Sequence, residues 1–507
     1  MARDGAFDDR FKAALEAAGL RLTADEAAGV EKLAAWMHDG LAAQEHPQGL
    51  ARPDEAICDL DIFALGARLR EGRLSALELT RATLARIAAR DPVYLSFYRV
   101  LEESALAEAA QADSELAEGL DRGPLHGIPV GIKDLIDVAG VPTTANAPGR
   151  ADVTAKNDAE VVHRLREAGA IIIGKLATYE WATVGPDKNG LFPPARNPWN
   201  PEHITGGSSS GCAAAVAGGL IRTSIGTDTG GSVRGPSFYC GTVGLKPTYG
   251  TVSTHGVLDL APSLDHVGTV SATVAEAALT LDVLGGRVGQ QAACSRIGEA
   301  LSGLRVGYAR NWFVHDPQAM PEVAAAIDTA ISVLSQLGAV VNEVEMPDYA
   351  GVEVAVAAIL HAESFRLHAD GLRDNPEAYG RRAYLSLAAG LALTDAEVTR
   401  ARDAGEAFRA TVDGLLDRHD VLITVGALTT ALPVAPFEKE AVWTPMRTIG
   451  FNVSGHPVLA VPIGFHQGLP IGMQIIGRHH DEARIVQVGH AYERATDTSL
   501  QRPPVPR

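Results

Sequence analysis

The sequence predicts an α/β protein whose β-sheet is largely parallel and covered by helices. Two observations lead there. Residues 157–168 read as a helix stopped by Gly169, and the apolar run 170–173 follows at once as a buried strand. Residues 128–134 (Ile-Pro-Val-Gly-Ile-Lys-Asp) form a second short apolar strand ahead of that helix, and such alternation is the mark of βαβ units. A third observation bounds the size of the core. The chain has 507 residues, 46% of them apolar and 52 of them glycine, which is ample for a large interior and leaves no sign of extensive disorder.

Taken in order, residues 1–58 read as an N-terminal helical extension, with helical composition over 23–37 and a linker over 45–53. The main domain is expected over 59–500. Ser75-Ala-Leu-Glu78 is a capping box, and it opens a helix on which Leu77, Leu84 and Ile87 share a face. Residues 101–120 are rich in Ala and Glu and read as a further helix. Lys133 emerges at the end of its strand in an apolar setting, where burial disfavours the charged ammonium and lowers its pKa. Residues 347–420 are mostly helical, and their His361, Glu363, His368, Arg381 and Arg382 read as a solvated face.

The charge balance of −18 argues against a nucleic-acid or anionic-membrane partner. Four cysteines without CxxC spacing argue against a zinc knot or a disulfide framework, and they fit a reducing cytoplasm. Cys212 reads as a small buried apolar group. The first ten residues contain no apolar stretch of signal-peptide type, and the long uncharged run 204–221 is too rich in Gly, Ser and Thr for a membrane span.

The stretch 206–246 carries the chemistry. Gly206-Gly-Ser-Ser-Ser-Gly211 and Gly226-Thr-Asp-Thr-Gly-Gly-Ser232 place two serine-bearing glycine loops around a short helix, with Ser208 and Ser232 separated by 24 positions. Successive N–H groups in such loops form nests suited to a developing oxyanion. No phosphate-binding Gly-x-x-x-x-Gly-Lys-Ser/Thr motif forms in this stretch.

This stretch resembles the signature region of the amidase signature family, Ser–Ser–Lys hydrolases of C–N bonds beside a carbonyl. Four further segments resemble the family in the right order: 127–134, 169–175 with 196–199, 455–462 and 468–477. The resemblance implies one large mixed, mostly parallel sheet with helices on both faces. It implies Ser232 as nucleophile, Ser208 as a bridging serine behind a cis peptide bond, and Lys133 as base. The backbone N–H groups of Thr229, Gly230, Gly231 and Ser232 would hold the oxyanion. Ser209 would hydrogen-bond Lys133, and Asp228 and Arg234 would buttress the loop. Tyr179, Trp181, Thr183 and Gly207 would begin the substrate pocket, and 347–420 would cover it. Lys175 is expected to be structural or at the pocket edge, and the histidines flanking the loops, His126 and His203, are not expected to take part.

The resulting expectation is an amidase acting on linear amides, or on related carbamate or urea-type substrates, through an acyl-enzyme. It needs no cofactor and no metal, takes a small-molecule amide, and forms a homodimer by family analogy. The alternative is the glutaminase-type subunit of a tRNA-dependent amidotransferase.

Overall fold

The Ser75 hydroxyl accepts the N–H of Glu78 while the Glu78 carboxylate accepts the N–H of Ser75, closing the expected capping box and starting the helix Ala76–Tyr94. The other expected elements also form: helices Glu102–Ala117 and Glu160–Glu167, with Gly169 in the left-handed region at φ +71° after the second. The computed structural model describes residues 57–496, 498 and 501–505. The extension predicted over 1–58 lies outside the described residues apart from its last two. From Ile57 onward the chain forms one unit.

Eleven strands make a single sheet among the described residues: β1 (Phe97–Val100), β2 (Pro129–Lys133), β3 (Ile171–Leu176), β4 (Thr223–Asp228), β5 (Val243–Lys246), β6 (His266–Ser271), β7 (Arg305–Tyr308), β8 (Val340–Glu343), β9 (Val421–Val425), β10 (Val458–His466) and β11 (Leu469–Ile476). Their order is β1-β3-β2-β4-β6-β5-β10-β11-β9-β7-β8. The α/β class and the single mixed sheet are as expected, but the parallel share is smaller. Four of the ten pairings are parallel (β2 with β3 and β4, β7 with β8 and β9) and six are antiparallel. One reason is local. Gln467 and Gly468 both have positive φ and make a two-residue turn between the paired residues His466 and Leu469, which allows only an antiparallel hairpin.

The parallel β3-β2-β4 block positions the site. Its strands are buried along their whole length, as a sheet covered on both faces requires. The helix Ser210–Ala217, buried at every residue, joins β3 to β4. Lys133 ends β2 and Asp228 ends β4, so both emerge at the carboxyl ends of neighbouring parallel strands, where α/β sheets place their ligands.

Residues 347–420 supply helices Tyr349–Asp374, Arg381–Ala388 and Asp395–Arg418. The two long ones pack through Val356, Ile359, Phe408 and Val412 into a second apolar cluster beside the main core. No helix among the described residues is long and apolar enough to cross a membrane.

Candidate active site

Lys133 is fully buried. Its Nζ donates to Ser208 Oγ at 2.8 Å and to Thr227 Oγ1 at 2.8 Å. Burial penalises the ammonium and lowers its pKa to about 7; Cys212, Asp228 and Asp265 oppose the shift without overcoming it. The Gly207–Ser208 peptide bond is cis, as the resemblance implies. Ser209 corrects one expectation. Its hydroxyl donates to the carbonyl of Thr227 at 3.1 Å, and it is Thr227 that serves Lys133. The Ser209 side chain turns instead toward the β4 backbone, which offers a buried acceptor. Cys212 is fully buried, donates to the Ile225 carbonyl, and has its thiol pushed up to about 11 by burial. Lys175 is a structural group, ion-paired to buried Asp134 at 2.8 Å.

The loop after β4 is organised by Asp228. Its carboxylate accepts the N–H groups of Gly231 (2.8 Å), Val233 (3.0 Å) and Arg234 (3.3 Å). It also accepts the Arg234 guanidinium through both oxygens at 3.0 and 2.8 Å. Burial alone would raise its pKa, but the charge and hydrogen bonds of Arg234, with the Asn452 amide, hold it well below the usual carboxylate range. The expected buttress therefore exists, with Asn452 as a third member that also donates to the Asp228 backbone carbonyl at 2.9 Å.

The same geometry corrects the oxyanion set, because the Gly231 N–H is already engaged by Asp228. Among the described residues, no acceptor takes the N–H groups of Thr229, Gly230 or Ser232. Gly231 itself is required: it sits at φ +127°, and a Cβ there would lie 2.2 Å from Thr448 Oγ1. Thr448 in turn donates to the Gly230 carbonyl at 2.7 Å, fixing the loop from across the cavity. Asp265, pushed up to about 7 by burial, accepts the Thr229 hydroxyl at 2.6 Å.

Ser208, Ser232 and residues 229–231 line one cavity of about 660 Å³, in the range of small-molecule sites. Both serines face this space, with Lys133 directly behind Ser208. Tyr179, Thr183 and Gly207 line the cavity as expected. Trp181 does not. The chain turns at Trp181 and Ala182 (φ +50° and +58°), and the indole packs edge-on to His368 at 4.5 Å, with Tyr379 and the Arg150 guanidinium alongside.

Of the five residues in 347–420 expected on a solvated face, His361 and Arg382 line the cavity instead. Glu363 instead accepts the Ser263 N–H and hydroxyl, and Arg381 lies over the Tyr384 ring. Thr227, Thr448, Asn452, Tyr349 and Met446 escaped the sequence reading. Only Thr227 left a signal there, inside the Gly-Thr-Asp-Thr loop itself.

A family model for amidases matches residues 78–486. The chain belongs to the amidase signature family. Among curated relatives of this hydrolase, a Glutamyl-tRNA(Gln) amidotransferase subunit from Chloroflexus aurantiacus is 36% identical over 481 residues, covering 88% of this chain and 98% of the relative. Among solved structures, a chain from a vestigial protein complex tied to the origins of an s-triazine catabolic enzyme superposes with a TM-score of 0.80 at 30% identity, covering 88% of this chain and 100% of that one. The native peptide amidase of Stenotrophomonas maltophilia superposes with a TM-score of 0.76 at 30% identity, covering 88% and 98%.

Proposed function

We propose that this amidase-signature hydrolase cleaves a carboxylic amide with Ser232 as nucleophile, Ser208 as proton relay and Lys133 as base. One observation carries the reading: the buried Lys133 amine, with a pKa of about 7, donates to Ser208 Oγ at 2.8 Å behind the cavity that Ser232 lines. A lysine that is neutral in half its population near neutral pH can take a proton from Ser208, which takes one from Ser232 as it attacks the carbonyl. The free N–H groups of Thr229, Gly230 and Ser232 stabilise the tetrahedral oxyanion, each at about 3–4 kcal/mol in comparable sites. The relay then returns a proton to the leaving nitrogen, and water releases the acid from Ser232.

A second reading has its own support. The Chloroflexus relative is named as part of an amidotransferase, and this favours the glutaminase-type reading over a stand-alone one at the level of sequence. In that reading the same three residues release ammonia from glutamine for a partner.

Intact-mass labelling with a serine-directed phosphonate, paired with ammonia or amine release by wild type and Ser232→Ala, tests the chemistry. One adduct in wild type, none in the variant, and turnover by the isolated chain support a stand-alone hydrolase. Turnover that appears only with copurified partners, tRNA and ATP supports the second reading. A wild type that neither labels nor turns over anything overturns both.

A further inference from the structure

The mouth of the cavity carries two large apolar side chains that the core does not need. Trp443 is 62% exposed and Leu385 is 53% exposed, and both line the cavity. Exposed apolar groups gathered at the entrance of a concave site mark a surface that a ligand covers. The indole is also held in place: its Nε1 donates to Glu353 Oε1 at 2.8 Å, which ties 443 to the helix Tyr349–Asp374. Further in, the walls are Leu260, Leu360, Ile449, Met446 and Tyr349. The polar groups among them are neutral. Thr183 and Ser386 share a hydroxyl–hydroxyl bond of 2.6 Å, and His361 has its pKa lowered by burial while its Nδ1 sits 3.0 Å from the Ser386 carbonyl.

The charges on the lining are spent or balanced. Arg382 donates to the carbonyls of Pro186 and Phe437 and lies 3.7 Å from Asp187. Glu353 is occupied by Trp443. Lys439 and Glu440 are adjacent, exposed and opposite in sign. The two cations on the lining are thus Arg382, committed to those carbonyls, and Lys439, exposed at the rim beside Glu440, and stripping water from a substrate carboxylate that has no committed partner is costly.

On the amide-hydrolase reading above, we infer that the substrate is a neutral carboxamide with an extended aromatic or aliphatic acyl group. Trp443 and Leu385 grip the far end of that group, and free glutamine, with its two charges, is a poor substrate.

The test is kcat/KM of the full chain for propionamide, hexanamide, 4-phenylbutanamide and glutamine, with Trp443→Ala, Leu385→Ala and, as a control, Val354→Ala. Val354 is 70% exposed on the same helix as Glu353 and outside the cavity lining. The expected result has three parts. 4-Phenylbutanamide exceeds glutamine by about 100-fold. Each rim variant lowers kcat/KM for 4-phenylbutanamide by about tenfold through KM and for propionamide by much less. The control behaves as wild type. Glutamine as the best substrate overturns the inference, and so does an equal loss on propionamide and 4-phenylbutanamide. Phosphonate labelling of Ser232 separates the failures. Labelling without the predicted preference removes the substrate class alone, and no labelling with no turnover removes the hydrolase reading with it.

Discussion

Thr227 Oγ1 accepts a hydrogen bond from Lys133 Nζ at 2.8 Å, equal in length to the bond from Nζ to Ser208 Oγ. The amine is thus held from two sides, by the end of β4 and by the serine loop. Removing the threonine acceptor while keeping its shape should loosen the amine and destabilise its protonated form. Thr227→Val is expected to lower kcat/KM by about 10- to 100-fold, the value of a hydrogen bond to an ionisable group. Its pH profile should shift to lower pH, and Thr227→Ser should restore both. A pH–rate series on the three proteins reads this out, and an unmoved inflection would argue that Thr227 only fills space.

The pH dependence follows from Lys133. Its amine must be neutral to act as base, so kcat/KM should rise with pH through an inflection near 7. Stability moves the same way. The unfolded lysine keeps its proton up to about pH 10.4, whereas the folded one loses it near 7, so the unfolded state binds more protons between these values. Wild-type stability relative to Lys133→Met should therefore increase from pH 7 to pH 10, by up to about 1.4 kcal/mol per pH unit. Denaturant melts of the two proteins across that range measure it. A flat difference would mean the amine is charged when folded.

Asp228 and Arg234 form a fully buried pair that also pins three N–H groups of the loop. Asp228→Asn leaves the guanidinium buried with a neutral partner and should cost about 3–5 kcal/mol of stability. The linkage sign is that of a depressed carboxylate. The pair's contribution is present above the unfolded aspartate pKa and is lost as pH falls through the folded one. Chemical denaturation at pH 7 and below, on wild type and variant, should show the two converging in acid.

Gly231→Ala meets both a positive φ and the Thr448 hydroxyl. Displacing that hydroxyl breaks its bond to the Gly230 carbonyl. The expected cost is about 2–4 kcal/mol, with a loss of activity larger than the loss of folded protein, because the loop carrying the free N–H groups moves. Comparing active-site titration with total folded protein by circular dichroism separates the two effects.

Much of this site was legible in the residues. The apolar strand ending in Lys133, the two glycine loops and the capping box at Ser75 are local patterns, and each formed where its pattern stood. The misjudged residues depended on partners far along the chain. Ser209 and Thr227 compete for Lys133 only once β2 and β4 lie side by side. Gly231 loses its N–H to an aspartate three residues away, in a turn whose closing contact comes from Thr448. Trp181 left the cavity because His368 and Tyr379, far along the chain, offered it an aromatic site.

Chain order and residue type were enough for the α/β class and the buried character of the strands, since those follow from periodicity, glycine placement and apolar runs within a few residues, while the roles of the serine and lysine candidates came from the resemblance of their motifs to the family. The proportion of antiparallel pairing, the acceptor of the lysine, the availability of each N–H and the apolar mouth at Leu385 and Trp443 arose only on folding. Each depends on which distant segments meet across the sheet, and hydrogen-bond partners and cavity walls are properties of that meeting rather than of any local stretch of chain.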